Sequence, residues 1–285
     1  MPDLGRGLSR LCIAVTLLLA SAAATADMAP EIFSQWRQGA PVFGKLAPGS
    51  RLFLDGREVR VSPSGKFVIG VAFDAAPALA LDVISAGGAK QRYEYSVSAR
   101  DYDVQKIGGL PSAMVTPPAK LLARIEKDAA LVKAAREFDS EHPDVFDTWK
   151  WPLAARVTGV FGAKRILNGQ PRQPHFGIDL AAGEGTPMRT PVGGVVRMAH
   201  KDLYYTGGTV IIDHGFGVTS SYLHMSRLDV AVGDKVIAGQ VIGRVGHTGR
   251  ATGPHLCWRA NWFDVRLDPS LFIEANPAQK GERKK

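Results

Sequence analysis

Short runs of alternating hydrophobic and polar residues dominate the chain and predict a mainly β protein. Between residues 27 and 100 the runs are separated by turn signals such as Asp55-Gly56 and Pro63-Ser64-Gly65. Strands at this spacing predict a small N-terminal β module that resembles a sandwich. Residues 151–275 are rich in glycine and β-branched residues, so we expect a second, larger β-rich domain there.

Residues 101–150 have a different pattern and predict a helical connector between the two β regions. Thr116 precedes two prolines, which favours a helix that starts there with Thr116 as its cap. Apolar residues then recur near the helical period up to about Phe138; they are Leu122, Ile125, Ala129 and Val132. The charged residues of 276–285 predict a basic, solvated tail.

The first 26 residues have the pattern of a signal peptide. Arg6 and Arg10 precede or flank an apolar run that ends near Ala20, and Ala24-Thr25-Ala26 has the small side chains of a cleavage site. The run is short for a membrane span, and a retained anchor is the alternative. We therefore expect an exported protein, most simply a periplasmic one, in which Cys257 is the remaining cysteine.

The composition narrows the class of protein and of partner. With 45% hydrophobic and 22% charged residues, the chain is globular, not collagen-like, coiled-coil or wholly disordered. Two cysteines are too few for a disulfide framework. A net charge of +8 suits an anionic polymer such as a cell wall. Nucleic acid is not an expected partner, because the sequence contains no zinc-finger or RNA-binding signature.

A cluster of histidines marks the region where we expect chemistry. Six of the seven histidines lie between His175 and His255, and histidine both binds metals and transfers protons. His175 and Asp179 would be about 13 Å apart on a straight strand, but a bend at Gly177 would bring them together. His255 and Cys257 are two residues apart on a predicted strand and therefore share a face. Taken singly, each of these residues is also compatible with a structural role.

The same region contains an ordered series of motifs. From Trp151 to about Phe272 the chain resembles the lysostaphin/LytM-type zinc metallopeptidases, which cut the peptide cross-links of bacterial peptidoglycan. The resemblance is carried by Phe161-Gly162, His175-Phe176-Gly177-Ile178-Asp179, Gly185-Thr186-Pro187, Ile212-Asp213-His214-Gly215, Tyr222-Leu223-His224, Val232-Gly233-Asp234-Lys235-Val236, Gly246-His247-Thr248-Gly249 and Gly253-Pro254-His255-Leu256.

This resemblance implies a zinc site with one altered ligand. It makes His175 and Asp179 zinc ligands and places His224 and His255 beside the metal-bound water. The third ligand of the family is a histidine, and this chain has Cys257 at that position. Thiolate binds zinc readily, at about 2.3 Å, but it lowers the formal charge of the site by one, which makes a bound water less acidic. His200, His214 and His247 are interpreted as structural.

The expected function is therefore zinc-dependent hydrolysis of peptidoglycan cross-link peptides, with His255 as general base and His224 stabilising the oxyanion. One alternative is a non-catalytic cell-wall module, whose partner would be a cell-wall amidase or a divisome protein. A second is a lipoyl- or biotinyl-carrier barrel, which the Val232–Val236 motif also permits. A third is a hydrolase that uses Cys257 and His255 as nucleophile and base. Zinc content is expected to distinguish the metallopeptidase from the non-catalytic cell-wall module.

Overall fold

The computed structural model describes residues 28–273, so the predicted signal peptide and basic tail lie outside the described residues. The described part is mainly β, as the sequence predicts. None of the helices between residues 28 and 273 is long and apolar enough to cross a membrane.

The N-terminal region forms two small antiparallel sheets. Strands β1, β2 and β5 make one sheet in the order β1-β2-β5, and the other four make the second in the order β4-β3-β6-β7. The strands are β1 (Glu31–Ile32), β2 (Pro41–Lys45), β3 (Arg51–Leu54), β4 (Arg57–Val59), β5 (Lys66–Gly70), β6 (Ala78–Ile84) and β7 (Lys90–Ser96). Alternate residues of these strands, such as Leu52 and Leu54, are buried, which is the period-two pattern that the sequence shows.

The connector contains a strand as well as helices. Its elements are β8 (Val104–Ile107), α1 (Ser112–Val115), a 3₁₀ turn (Ala119–Leu121), α2 (Leu122–Ala134) and a second 3₁₀ turn (Asp144–Phe146). The predicted helix start at Thr116 is wrong. Thr116 has an extended backbone at the end of α1, and its hydroxyl donates to Gln170, so the longer helix begins only after Pro118.

The C-terminal region is built on one large antiparallel sheet. Its strand order is β18-β14-β15-β16-β20-β12-β9, with β21 paired to β20. Two three-stranded sheets flank it, in the orders β11-β10-β8 and β13-β19-β17. The strands are β9 (Arg156–Gly159), β10 (Lys164–Leu167), β11 (Gln170–Arg172), β12 (Ile178–Ala181), β13 (Pro187–Arg189), β14 (Gly194–Leu203), β15 (Gly207–Asp213), β16 (Val218–Met225), β17 (Arg227–Leu228), β18 (Lys235–Val236), β19 (Val241–Arg244), β20 (His255–Trp262) and β21 (Val265–Leu267), followed by a 3₁₀ turn (Pro269–Phe272).

The two faces of the large sheet have different coverings. One face carries Val210, Tyr222 and Trp258, all fully buried in the main hydrophobic core. The opposite face carries Ile211 and Ser221, and the end of the connector crosses it, because Ala135 packs against Ile211. This second face also holds the candidate site.

The connector strand β8 fixes one edge of that site. Although it lies in the connector, β8 pairs in parallel with β10 of the C-terminal region, with Gln105 opposite Arg165. No sequence pattern predicted this pairing, since the two strands are far apart along the chain and only the tertiary structure brings them together.

Candidate metal centre

Three predicted ligand residues converge on adjacent elements. Asp179 on β12 lies directly opposite Cys257 on β20, and His175 approaches from the loop that precedes β12. The Nε2 atom of His175 is 3.1 Å from Oδ1 of Asp179 and 3.4 Å from Sγ of Cys257. One potential ligand atom from each residue therefore lies within 4.8 Å of the other two.

Two glycines allow this close approach. The chain bends at Gly177, where a Cβ atom would lie 2.8 Å from the carbonyl oxygen of Trp258 and 3.3 Å from Sγ of Cys257. On the other side of β12, a Cβ atom at Gly159 would clash with the carboxylate of Asp179. The bend proposed from the sequence at Gly177 is therefore present, and it brings His175 and Asp179 to one point.

The chemistry of the three groups fits a metal ion. The Oδ1 atom of Asp179 is buried without a hydrogen-bond partner, and the Nε2 atom of His175 and the sulfur of Cys257 lie beside it. Imidazole, carboxylate and thiolate are the ligand types that zinc takes in proteins, and three protein ligands leave a fourth tetrahedral position. A metal cation at this point would replace the proton shared among these groups, since imidazole and thiol bind metal in their deprotonated forms.

The carboxylate of Asp179 is held as an anion. Its burial acts to raise its pKa, but the charges of His175 and Arg165 outweigh that effect and hold the pKa of Asp179 well below its usual range. The Nη2 atom of Arg165 donates to Oδ2 at 2.8 Å. Oδ1 is therefore turned toward His175 and Cys257 while Oδ2 is fixed from behind.

His224 and His255 lie side by side next to this cluster. Their ring centroids are 4.7 Å apart, and Nε2 of His255 is 3.7 Å from Oδ1 of Asp179. Each ring uses Nδ1 to donate to a backbone carbonyl at 2.8 Å, that of Thr248 for His224 and that of Gly253 for His255. Because a carbonyl can only accept, both neutral rings keep a lone pair on Nε2.

Burial favours these neutral forms. It lowers the pKa of His224 to about 4 and also lowers the pKa of His255. A neutral imidazole with a free Nε2 is a proton acceptor at pH 7, which suits the base role predicted for His255. The oxyanion role predicted for His224 requires a proton on its Nε2 as well, since Nδ1 already donates to Thr248.

Two arginines that the sequence analysis did not single out complete the surroundings. Arg165 contacts Asp179, as described above, and Nε of Arg259 donates to Sγ of Cys257 at 3.4 Å. Each anionic ligand thus has a guanidinium group behind it. The alternation of β20 was a usable signal for Arg259, because residues 257 and 259 share a face, whereas Arg165 had no comparable signal.

The cluster opens into a groove of about 280 Å³. The groove is lined by Asp179, His224 and His255 together with Gln105 and Leu110 of the connector. The connector is therefore part of the site's wall.

The remaining histidines of the cluster lie elsewhere. His214 is fully buried and bonds the carbonyl of Gly193 and the hydroxyl of Ser220. His247 pairs with Glu184 on the surface. His200 accepts a hydrogen bond from the backbone of Asp202. These contacts are structural, in keeping with their interpretation from the sequence.

Comparisons with known proteins match the region that contains this site to a peptidase family. A family model described as peptidase family M23 matches residues 173–269. The chain is 43% identical over 128 residues to peptidoglycan DD-endopeptidase ShyA of Vibrio cholerae, a match that covers 45% of this chain and 28% of that protein. It is 46% identical over 144 residues to DD-carboxypeptidase/endopeptidase Mpg of Neisseria meningitidis, covering 50% of this chain and 31% of that protein.

One solved structure is similar over most of the chain. It is a Pseudomonas aeruginosa protein assigned to peptidase M23, with 30% sequence identity and a TM-score of 0.68, and the match covers 84% of this chain and 96% of that one. By contrast, the matched segments make up less than a third of the length of the two curated relatives.

Proposed function

The chain belongs to peptidase family M23, and on this premise we propose that it is a zinc-dependent metalloendopeptidase that hydrolyses the cross-link peptides of peptidoglycan. The relatives named peptidoglycan DD-endopeptidase and DD-carboxypeptidase/endopeptidase support this substrate class. The proposed activity is hydrolysis of a peptide bond in the cell-wall cross-links, and it does not depend on which of these bonds is cut.

The observation that carries the proposal is the convergence of three ligand types beside two neutral histidines. His175, Asp179 and Cys257 present their ligand atoms to one point, and the Nε2 atoms of His224 and His255 are free to accept protons from a group in the groove. Buried carboxylate oxygens are normally hydrogen-bonded, whereas the Oδ1 atom of Asp179 has no hydrogen-bond partner of good geometry.

Zinc held by His175, Asp179 and Cys257 would supply a Lewis acid for the scissile carbonyl and lower the pKa of a water molecule. Side chains of the protein carry out the proton transfer and the stabilisation of charge. His255 accepts the proton of the attacking water at Nε2. His224 can stabilise the oxyanion only in its protonated form, which its lowered pKa of about 4 makes a minor form at pH 7. The backbone carbonyls of Thr248 and Gly253 keep both rings oriented.

Arg165 and Arg259 offset part of the positive charge that the metal site loses when its third ligand is a thiolate. A thiolate in place of a histidine makes the site less positive, which would weaken polarisation of a substrate carbonyl. Arg259 donates to the sulfur and Arg165 to the carboxylate. Hydrogen bonds of this kind orient ligands and withdraw electron density from them, so the site retains positive character despite Cys257.

We further propose that the protein acts outside the cytoplasm, in the periplasm, on the basis of the signal-peptide pattern of residues 1–26. The substrate is located there, and the net charge of +8 suits its anionic polymer. The sulfur of Cys257 faces His175 instead of His255 and the residue is 1% exposed, which disfavours the alternative of a cysteine nucleophile.

The decisive experiment measures zinc and peptide release together. Purified full-length protein is expected to contain about one zinc per chain and to release peptides from isolated peptidoglycan, and a chelator is expected to stop this release. Cys257→Ala should lose both zinc and activity. Cys257→His should retain both, because imidazole is an equally suitable ligand.

The matched control is His247→Ala, which removes an exposed imidazole that pairs with Glu184. It should leave zinc content and activity unchanged. Full zinc occupancy without peptide release would favour the non-catalytic cell-wall module. Undiminished activity in a preparation free of metal would contradict the metallopeptidase proposal.

A further inference from the structure

The face of the large sheet that holds the metal centre continues beyond it as a row of polar residues. On β20 the residues after Cys257 that share its face are Arg259 and Asn261. Ser221 of β16 lies opposite Arg259. Asn261 lies opposite Thr219 of β16 on one side and opposite Arg266 of β21 on the other. Arg259 and Arg266 therefore lie on neighbouring strands next to the metal site.

A third arginine reaches this row from the connector. Arg136 follows helix α2, is only 7% exposed, and its Nη2 atom donates to the hydroxyl of Ser221 at 3.4 Å. Its Nε atom is buried without a partner, and so is the Nη1 atom of Arg266. The hydroxyl of Thr219 is also buried and unpaired. Several donors at this place therefore have no acceptor, and the Oδ1 atom of Asn261 is the one acceptor of the row that also lacks a partner.

Within residues 28–273, none of these three arginines forms an ion pair with a carboxylate. Other partly buried arginines do, since Arg100 pairs with Asp268 at 2.9 Å and Arg197 with Asp213 at 2.9 Å. Burial of an unpaired guanidinium group is unfavourable. Burial and the charges of Arg266 and Arg259 together lower the pKa of Arg136, so the three groups repel one another. An anion among them would relieve both costs.

We propose that Arg136, Arg259 and Arg266 form an anion-binding subsite that takes a carboxylate group of the peptide substrate. Guanidinium groups bind carboxylates with paired, charge-assisted hydrogen bonds. The inference rests on the proposed peptidase function, and it adds a specificity determinant to that site. Arg259 and Arg266 are partly exposed, so an anion can reach them from solvent.

The position of the subsite indicates which carboxylate it would bind. Arg259 is two residues from the ligand position 257, or about 7 Å along the strand. Two residues of extended substrate span a similar distance. The subsite therefore selects a substrate with a carboxylate one or two residues from the scissile amide.

A pair of cross-link peptides tests this selection. The two peptides are identical except that one has a free carboxylate within two residues of the scissile amide and the other has a carboxamide there. Wild-type protein should have the higher kcat/KM for the carboxylate peptide. Arg266→Gln should reduce the ratio of the two kcat/KM values roughly 10- to 100-fold, as expected for loss of a charged hydrogen bond, and should leave zinc content unchanged.

The control for loss of positive charge is Arg92→Gln. Arg92 is an exposed arginine of the N-terminal region that pairs with Asp82, and its substitution should leave the ratio unchanged. Equal kcat/KM values for both peptides in wild-type protein would overturn the subsite while leaving the peptidase proposal intact. Cleavage of neither peptide would contradict the peptidase proposal instead.

A measurement of anion binding tests the proposed subsite independently of peptidase activity. At constant ionic strength, replacing chloride by sulfate should raise the Tm of wild-type protein and of Arg92→Gln by the same amount. Arg266→Gln should show a smaller rise, because it lacks one of the anion's donors. Equal rises in all three proteins would mean a generic effect of sulfate, or an adventitious ion only, and would contradict the subsite.

Discussion

Two buried carboxylates on the same face of the large sheet show how similar residues serve different purposes. Asp179 and Asp213 each have a histidine and an arginine nearby. Asp213 is fully buried and accepts from Arg197, from the hydroxyl of Ser140 and from the backbone of Gly215. Asp179 leaves one buried oxygen without a donor.

The difference lies in what faces each carboxylate. Donors surround Asp213, so its charge is satisfied within the protein and the cluster ties the connector to the sheet. The unpaired oxygen of Asp179 lies beside the Nε2 atom of His175 and the sulfur of Cys257. All three atoms can coordinate a metal cation when one is bound. A saturated carboxylate stabilises the fold, whereas a carboxylate with a free lone pair among other ligand atoms can bind a metal.

Matched substitutions at the two carboxylates should give the largest contrast. Asp179→Asn is expected to reduce zinc from about one per chain to near zero and to abolish peptide release, because it removes an anionic ligand. Asp213→Asn should keep its zinc but lose about 3–5 kcal/mol of stability, since it leaves Arg197 without its buried partner. Metal analysis and denaturant unfolding measure the two effects. Full zinc content in Asp179→Asn would show that Asp179 is not a metal ligand and would contradict this distinction between the two carboxylates.

Substitution of a neighbouring histidine should separate catalysis from metal binding. His255→Ala is expected to keep zinc and to lower kcat roughly 10²- to 10⁴-fold, because the general base is lost. His214→Ala, at a buried histidine of the structural region, should instead lower stability, since Gly193 and Ser220 lose their partner. If His255→Ala loses its zinc, His255 is a ligand and its role has been misassigned.

The two arginines that contact the carboxylates should also differ. Arg165→Gln should weaken zinc binding roughly 10- to 100-fold, as is typical when a group that orients a ligand is removed. Arg197→Gln should leave zinc affinity unchanged and reduce the free energy of unfolding. Chelator competition measures the affinities. Equal zinc affinity in both variants would show that Arg165 does not position Asp179.

The smallest expected effect is a pH dependence confined to the Asp213 cluster. The hydrogen bond to Asp213 raises the pKa of His142 above its usual value. The protonated form therefore stabilises the fold below the unfolded pKa, about 6.5, and this contribution disappears as the pH rises through the folded pKa.

The difference in unfolding free energy between wild type and His142→Asn should accordingly be larger at pH 5.5 than at pH 8.5. Asp213, with a pKa of about 2, remains ionised over this whole range and does not contribute to the change. A difference that is constant with pH would contradict the assignment.

Much of the architecture and the site was predictable from local pattern. Alternation of apolar residues predicted a mainly β chain, because strand side chains alternate between core and solvent. The same rule placed His255 and Cys257 on one face, and the glycine between His175 and Asp179 indicated the bend that brings them together. The ordered motifs indicated the family. These features depend on residues close together along the chain.

Only the tertiary structure decided the features that depend on distant segments. Arg165 reaches Asp179 because β10 lies beside β8 and β12 follows a bend, and Arg136 lies above Ser221 because the connector crosses the sheet. The helix begins at Leu122 and not at Thr116, since Thr116 precedes Pro117 and has an extended backbone. Local pattern determines which face a side chain occupies, but the partner across that face is set by how the sheets and connector pack.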